Sequence, residues 1–319
     1  MNVTHILFIA FWFSLSFFSS PEKSPILLAD PTIFYHDGTY YLYGTSGNDK
    51  NLGFEVYVSK NLKSWKRSDK NDGYALKKGE SYGDIGFWAP QVFEYEGKFY
   101  MAYTANEHIA IATSDSPLGP FTQAEKKDLE APVKQIDPYI FIDDDGKKYM
   151  FHVRLTEGNR LFVAELKDDF SGIKEETLTY FFHAEEPWEN TQNVDWTVSE
   201  GPAIIKHEGL YYFIYSANDF RNPDYAVGYA VSESPMGPWR KSPTNPIFDK
   251  SDAGINGSGH GDFFFDSKGK LRYVLHTHNS DEKVSPRKTA LIELEFKEDG
   301  NEADLLEVKK GSFKFLELN

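Results

Sequence analysis

Short apolar, aromatic-rich runs separated by turns fill the chain from about residue 25 onward, and one arrangement of them recurs. A small or acidic residue and a proline lead into an apolar run, a tight turn with glycine, and a second run rich in aromatics. The copies read ADPTIFYHDGTYYLYGTS (29–46), WAPQVFEYEGKFYMAYTAN (88–106), IDPYIFIDDDGKKYMFHVR (136–154), EGPAIIKHEGLYYFIYSAN (200–218) and, more weakly, HGDFFFDSKGKLRYVLHTHN (260–279). The turns HDG, YEG, DDDG, HEG and SKG carry the glycines that tight hairpins use for positive φ. Prolines 31, 90, 138 and 202 stand at the first residue of a strand, where no ladder donor is needed, and Asp262 takes that place in the fifth copy. Each copy therefore predicts a β-hairpin.

A second element recurs between the hairpins. IAIATSDSPLGPF (109–121) and AVGYAVSESPMGPW (226–239) match closely, and EVYVSKNLKSW (55–65) is a looser copy. These read as a later strand followed by a Pro-Gly turn. The hairpins repeat every roughly 50–65 residues, a period that suits one four-stranded blade per repeat. No long helix-period segment competes, and no shift in composition marks a second domain. The pattern predicts an all-β chain forming a single five-bladed β-propeller over residues 25–319.

Composition narrows the partners. Aromatics make up 16% of the 319 residues, with 26 Phe and 19 Tyr, which suits strands first and sugar stacking second. The net charge of −15 repels phosphate backbones, so no nucleic-acid partner is expected. The chain has no cysteine, so disulfides and zinc-thiolate sites are excluded. Residues 1–20 contain no Asp, Glu, Lys or Arg and end in small residues at Ser19 and Ser20. They look like a secretory signal peptide and place the mature chain outside the cytoplasm, secreted or periplasmic. No other segment is long and apolar enough to span a membrane. A monomer is the expected state.

The repeat also points to chemistry. In a propeller the start of each innermost strand lies near the axis at one face, so equivalent positions converge. One place before the prolines stand Asp30, Ala89, Asp137, Gly201 and Gly261. Two places before stand Ala29, Trp88, Ile136, Glu200 and His260. A single Asp-Pro pair is an ordinary turn former. Three acids, a Trp and a His in two columns of one repeat make a site. Paired carboxylates suit glycoside hydrolysis: one protonated to donate to the leaving oxygen, one ionised to activate water or attack the sugar. A third can raise the acid's pKa by like-charge repulsion. Trp88 offers a face for a sugar ring, or fills the core.

On these residues the chain resembles glycoside hydrolase family 43, five-bladed propeller enzymes that trim arabinan and xylan. The resemblance rests on ADPTIFYHDGTYYLYGTS, FWAPQVFEYEGKFYMAYTA, QIDPYIFIDDDGKKYM, SEGPAIIKHEGLYYFIYSA and GSGHGDFFFD in that order. It implies that Asp30 is the general base, Glu200 the general acid, and Asp137 the residue that tunes and orients the acid. It implies inversion at the anomeric carbon, with the base and acid roughly 6.5–9.5 Å apart. His260 matches a histidine on the axis beside a calcium held largely by water, and Arg287 an arginine that reaches substrate hydroxyls in exo-acting members. No organic cofactor is implied.

The expected activity is exo-hydrolysis of terminal α-L-arabinofuranosyl or β-D-xylosyl units of plant cell-wall polysaccharides and oligosaccharides. The alternatives are an endo-arabinanase or galactan-acting glycosidase on the same fold, or a carbohydrate-binding propeller without catalysis. Phe34, Tyr215 and Asn218 are expected to help shape the pocket. Asp143, Asp144 and Asp145 are expected to be solvated turn residues, and His276, His278 and Asp281 polar groups of the rim.

Overall fold

The structure, a computed structural model, describes residues 23–298, 300 and 302–319. The expected signal peptide over 1–20 lies outside these residues. All five predicted hairpins form, and each opens a blade of antiparallel strands. The inner strands are Leu28–His36, Trp88–Tyr95, Gln135–Ile142, Ser199–His207 and Gly259–Phe265. They touch one another in a ring, the fifth meeting the first. The chain is a five-bladed β-propeller.

Three hairpins close through two residues, Asp37-Gly38, Glu96-Gly97 and Glu208-Gly209, all at positive φ. That backbone matches the right-handed twist of the strands it joins. The third hairpin closes through a longer loop after Ile142, and here the expectation for the acidic triplet is corrected. Asp144 and Asp145 face water, but Asp143 is largely buried. It accepts from Lys206 Nζ (2.8 Å) and from the Tyr211 hydroxyl, tying this turn to the next blade.

The second recurring element supplies third strands at His108–Ser114 and Ala226–Ser232. Its looser copy is split. Tyr57–Ser59 stays in the first blade, whereas Gly53–Glu55 pairs with Tyr74–Lys77. The second blade has three strands, with a bridge between Thr113 and Thr122 where a fourth would lie.

Apolar side chains gather into five clusters, one at each blade–blade interface. This explains why the inner and second strands read as continuous apolar runs. A strand with a neighbouring blade on each face buries both sets of side chains. The ring closes through the chain ends. Ser24–Pro25 pairs with Glu317–Leu318, Ile26 N–H donates to Leu316 O (2.9 Å), Leu316 N–H to Thr289 O (3.0 Å), and Asn319 N–H to Trp65 O (3.2 Å). Leu316 fills the interface between the last and first blades beside Trp65, Leu291 and Ile26.

Every inner strand is interrupted at the same place. The pairing register shifts between Ala29 and Thr32, Trp88 and Gln91, Ile136 and Tyr139, Glu200 and Ala203, and Gly259 and Gly261. The residue inside each bulge has positive φ: Asp30 (48°), Ala89 (44°), Asp137 (55°), Gly201 (62°) and His260 (41°). In the fifth blade this moves the expected alignment by one position. His260, not Gly261, is the counterpart of Asp30 and Asp137.

A bulge turns one N–H out of the ladder, and a buried N–H needs a partner. In four blades the partner is a side chain on the second strand of the preceding blade. Ala89 N–H donates to Thr45 Oγ1 (3.0 Å), Asp137 N–H to Thr104 Oγ1 (3.0 Å), His260 N–H to Ser216 Oγ (2.8 Å) and Asp30 N–H to His276 Nδ1 (3.1 Å). Between the third and fourth blades the corresponding residue is Val153, which has no acceptor. There Gly201 N–H donates to Asp137 Oδ2 instead (3.3 Å). A side chain at 201 would not fit, since a Cβ would fall 2.8 Å from the His260 ring.

These bonds generate a test. Thr104→Val keeps the shape of the side chain and leaves the Asp137 N–H buried without an acceptor. The variant should lose about 1–3 kcal/mol of stability in urea unfolding. A loss below about 0.5 kcal/mol would show that this bond is not holding the blades together.

Candidate active site

The bulges aim Asp30 and Asp137 at the mouth of the axis, and Glu200 stands one residue before the fourth bulge. All three are buried and line one cavity of about 230 Å³. His260 lies between the two aspartates, its Nδ1 3.5 Å from Asp30 Oδ1 and 3.8 Å from Asp137 Oδ2. Trp88 lines the same cavity, half-buried, with Lys50 Nζ 5.5 Å above its ring centroid. Arg287 lies in the cavity as well. Its Nη1 donates to Asp30 Oδ1 (2.9 Å), and its guanidinium sits 4.5 Å from the Phe220 ring centroid. It grips the expected base directly, a contact that sequence reasoning did not foresee.

Phe34 is a correction. It does not reach the cavity. It lies toward the hairpin end of the first inner strand, stacked on His36 and edge-on to Phe99 (5.9 Å between centroids). Four residues of strand carry it away from the axial mouth. Tyr215 is likewise in the core, its hydroxyl donating to Glu189 Oε1 (2.6 Å). His276, expected at the rim, is fully buried behind Asp30 and 3.1 Å from Arg287 Nη1. His278 Nε2 is 2.8 Å from Phe220 O and braces that loop. Asp281 stays at the exposed rim, accepting from Asn256 N–H (3.2 Å).

Three groups went unseen in the sequence. Tyr225 donates from its hydroxyl to Glu200 Oε1 (2.9 Å), Asn159 donates from Nδ2 to Glu200 Oε2 (3.0 Å), and Thr45 donates from Oγ1 to Asp30 Oδ2 (2.6 Å). A signal existed for Thr45 and His276. Both occupy one column of the second strands, with Thr104, Val153 and Ser216, opposite the residue that precedes each bulge. Tyr225 and Asn159 come from outside the inner strands and left no mark in the repeat.

The family model for glycosyl hydrolases family 43 matches residues 23–301. The chain belongs to glycosyl hydrolase family 43. It is therefore a glycosidase. Among curated relatives it is 28% identical over 273 residues to a xylosidase/arabinosidase 43A of Humicola insolens, covering 69% of this chain and 80% of that one. It is 26% identical to the extracellular exo-α-(1→5)-L-arabinofuranosidase ArbA of Cellvibrio japonicus, covering 79% and 74%. Among solved structures, an endo-1,4-β-xylanase from Bacteroides thetaiotaomicron superposes with a TM-score of 0.86 at 39% identity, covering 94% of this chain and all of that one.

The electrostatics of the family 43 site divide its carboxylates. Burial alone would raise the Asp30 carboxyl. The Arg287 guanidinium is the largest pull the other way, and Asp30 is held well below the usual carboxylate range. Burial pushes Glu200 up to about 7, reinforced by the negative charges of Asp30 and Asp219 and opposed by the Tyr225 hydroxyl. Burial also raises Asp137, helped by Glu200 and Asp30. Glu200 and Asp137 cannot both ionise cheaply in this cavity, so the pair keeps a proton that Asp30 has given up. His260 and His276 stay neutral, because burial lowers both.

With Asp30 as the expected base and Glu200 as the expected acid, activity needs Asp30 ionised and a proton on the pair. It should hold across the mildly acidic range, fall as pH rises through about 7, and fall on the acid side only below 3.8. Arg287→Gln removes the charge that lowers both groups, so both limbs of the kcat/KM profile should move up, the acid limb by about 1–3 units. A profile with an unmoved acid limb would mean that Arg287 does not set the state of Asp30.

Proposed function

We propose that the enzyme removes terminal α-L-arabinofuranosyl or β-D-xylosyl units from plant cell-wall polysaccharides and their oligosaccharides, with inversion. The observation that carries this reading is a single buried cavity holding one ionised carboxylate, Asp30, and a proton-holding pair, Glu200 and Asp137. Asp30 takes a proton from water as the water oxygen bonds to the anomeric carbon. The bond from that carbon to the leaving oxygen breaks, and the leaving oxygen takes the proton of Glu200. Burial, with the charges of Asp30 and Asp219, keeps Glu200 protonated until that step, and Asp137 serves to tune and orient it. Trp88 packs against the sugar. The names of the xylosidase/arabinosidase and arabinofuranosidase relatives support the choice of pentose.

Endo action is the second reading, and the 39% identical endo-1,4-β-xylanase favours it. Export through residues 1–20, followed by work as a monomer, belongs to the same proposal.

A calcium on the axis is also proposed. His260 and Asp262 line a small axial cavity of about 20 Å³, and among the described residues Asp262 Oδ1 is buried with no hydrogen-bond partner. Asp262 and His260 would face the ion, and water of the adjoining catalytic cavity, which His260 also lines, would supply most of its ligands. The ion would add positive charge beside the carboxylates.

Four measurements test these readings. Wild type should hydrolyse an aryl arabinofuranoside or an aryl xyloside, releasing by NMR the inverted anomer first. Glu200→Ala should lower kcat on a natural oligosaccharide by about 10²–10⁴-fold. Retention of configuration, or full activity in that variant, would remove the assignment. On a linear oligosaccharide, monosaccharide should accumulate from the first minutes; a ladder of intermediate products would establish endo action. Dialysis against a chelator should lower Tm, and calcium should restore it. An unchanged Tm would remove the ion.

A further inference from the structure

A second cavity of about 430 Å³ adjoins the catalytic one, and Asp219 lines both. It is nearly twice as large as the catalytic cavity. One wall is the loop that enters the fourth blade, carrying Gln192, Val194 and Trp196. The other is the loop after the second strand of that blade, carrying Asp219 and Arg221. Trp196 is 51% exposed and Val194 46%, both unusual for side chains of this size.

The walls are held in place. Buried Asn218 spans them: its Oδ1 accepts from Thr191 N–H (2.9 Å), and its Nδ2 donates to Trp188 O (2.8 Å) and Asp224 O (3.0 Å). Asn190 clasps Val194 through two bonds of 3.0 Å each. Trp196 is fixed as well, its indole N–H donating to Asn159 Oδ1 (3.0 Å). The same Asn159 donates to Glu200 Oε2 (3.0 Å). An exposed indole is thus two hydrogen bonds from the residue that protonates the leaving oxygen.

We propose that this second cavity binds the leaving portion of the substrate, about two further sugar units of a linear oligosaccharide, with Trp196 as the stacking platform. The inference rests on Glu200 being the acid. A proton donor must stand beside the oxygen it protonates, so the departing chain leaves on the Glu200 side. The second cavity lies on that side. An indole with its N–H satisfied and its ring exposed suits the apolar face of a sugar ring. The flanking Gln192, Asp219 and Arg221 suit hydroxyls.

The test compares substrates by length. Wild-type kcat/KM should rise roughly tenfold from a disaccharide to a tetrasaccharide. Trp196→Ala should cut the ratio of tetrasaccharide to aryl glycoside activity by roughly tenfold. Trp196→Phe keeps a ring without the N–H and should restore that ratio while lowering activity on both substrates together. A flat length profile in wild type, or an unchanged ratio in Trp196→Ala, overturns the proposal. Binding separates this inference from the reading it rests on. Glu200→Gln titrated calorimetrically with linear xylotetraose and arabinotetraose should bind one of them, and adding Trp196→Ala should weaken that binding roughly tenfold. Absent or undiminished binding overturns the second cavity as a subsite. Failure of wild type to cleave either aryl glycoside overturns only the choice of pentose.

Discussion

Five peptide groups turned out of their ladders govern the rest of this molecule. Each bulge frees an N–H in a place that water does not reach, and a buried donor left alone costs about as much as several good contacts return. Each must be met from the neighbouring blade, because its own ladder has just been broken. The blades are therefore held at a set distance around the axis by directional bonds, whereas the apolar interfaces behind them are adaptable in shape. The same turn of the backbone points Asp30 and Asp137 into the cavity. Architecture and chemistry depend on one repeated local distortion.

Burying three carboxylates together would be prohibitive if all were charged. The site avoids this by unequal treatment. Arg287 is the cation that reaches Asp30, and it is pinned by stacking on Phe220 and by its contact with His276. Glu200 and Asp137 lie beyond its direct reach, and burial raises both. Two neutral imidazoles fill the space behind and beside Asp30 without adding charge. The division into one ionised carboxylate and two raised ones comes from where one guanidinium can reach.

Much of this was legible in the sequence, because a repeat makes distant residues comparable. The five hairpins, the five blades, and the convergence of Asp30, Asp137, Glu200, Trp88 and His260 all follow from aligned copies. The fifth register was off by one, because Asp262 mimics the proline position while His260 takes the bulge. Phe34 was misplaced because strand geometry carries it away from the axis. Tyr225 and Asn159 were invisible, since they arrive from loops and third strands whose place depends on tertiary packing. Asp143 looked like a solvated tip because its partners, Lys206 and Tyr211, belong to another blade. Residues 1–20 lie outside what the structure describes.

The ring of captured N–H groups has one irregular link. Where four blades use a hydroxyl or an imidazole, the third offers Val153, and Asp137 stands in. A residue of the reaction centre is thereby also a structural fastener between two blades. A lineage that gave up hydrolysis and lost Glu200 would free the Tyr225 hydroxyl and the Asn159 amide but keep every bulge N–H fastened between blades. Losing Asp137 would strand Gly201 N–H unless a hydroxyl arose at position 153. The fold thus restrains which catalytic acid can drift first.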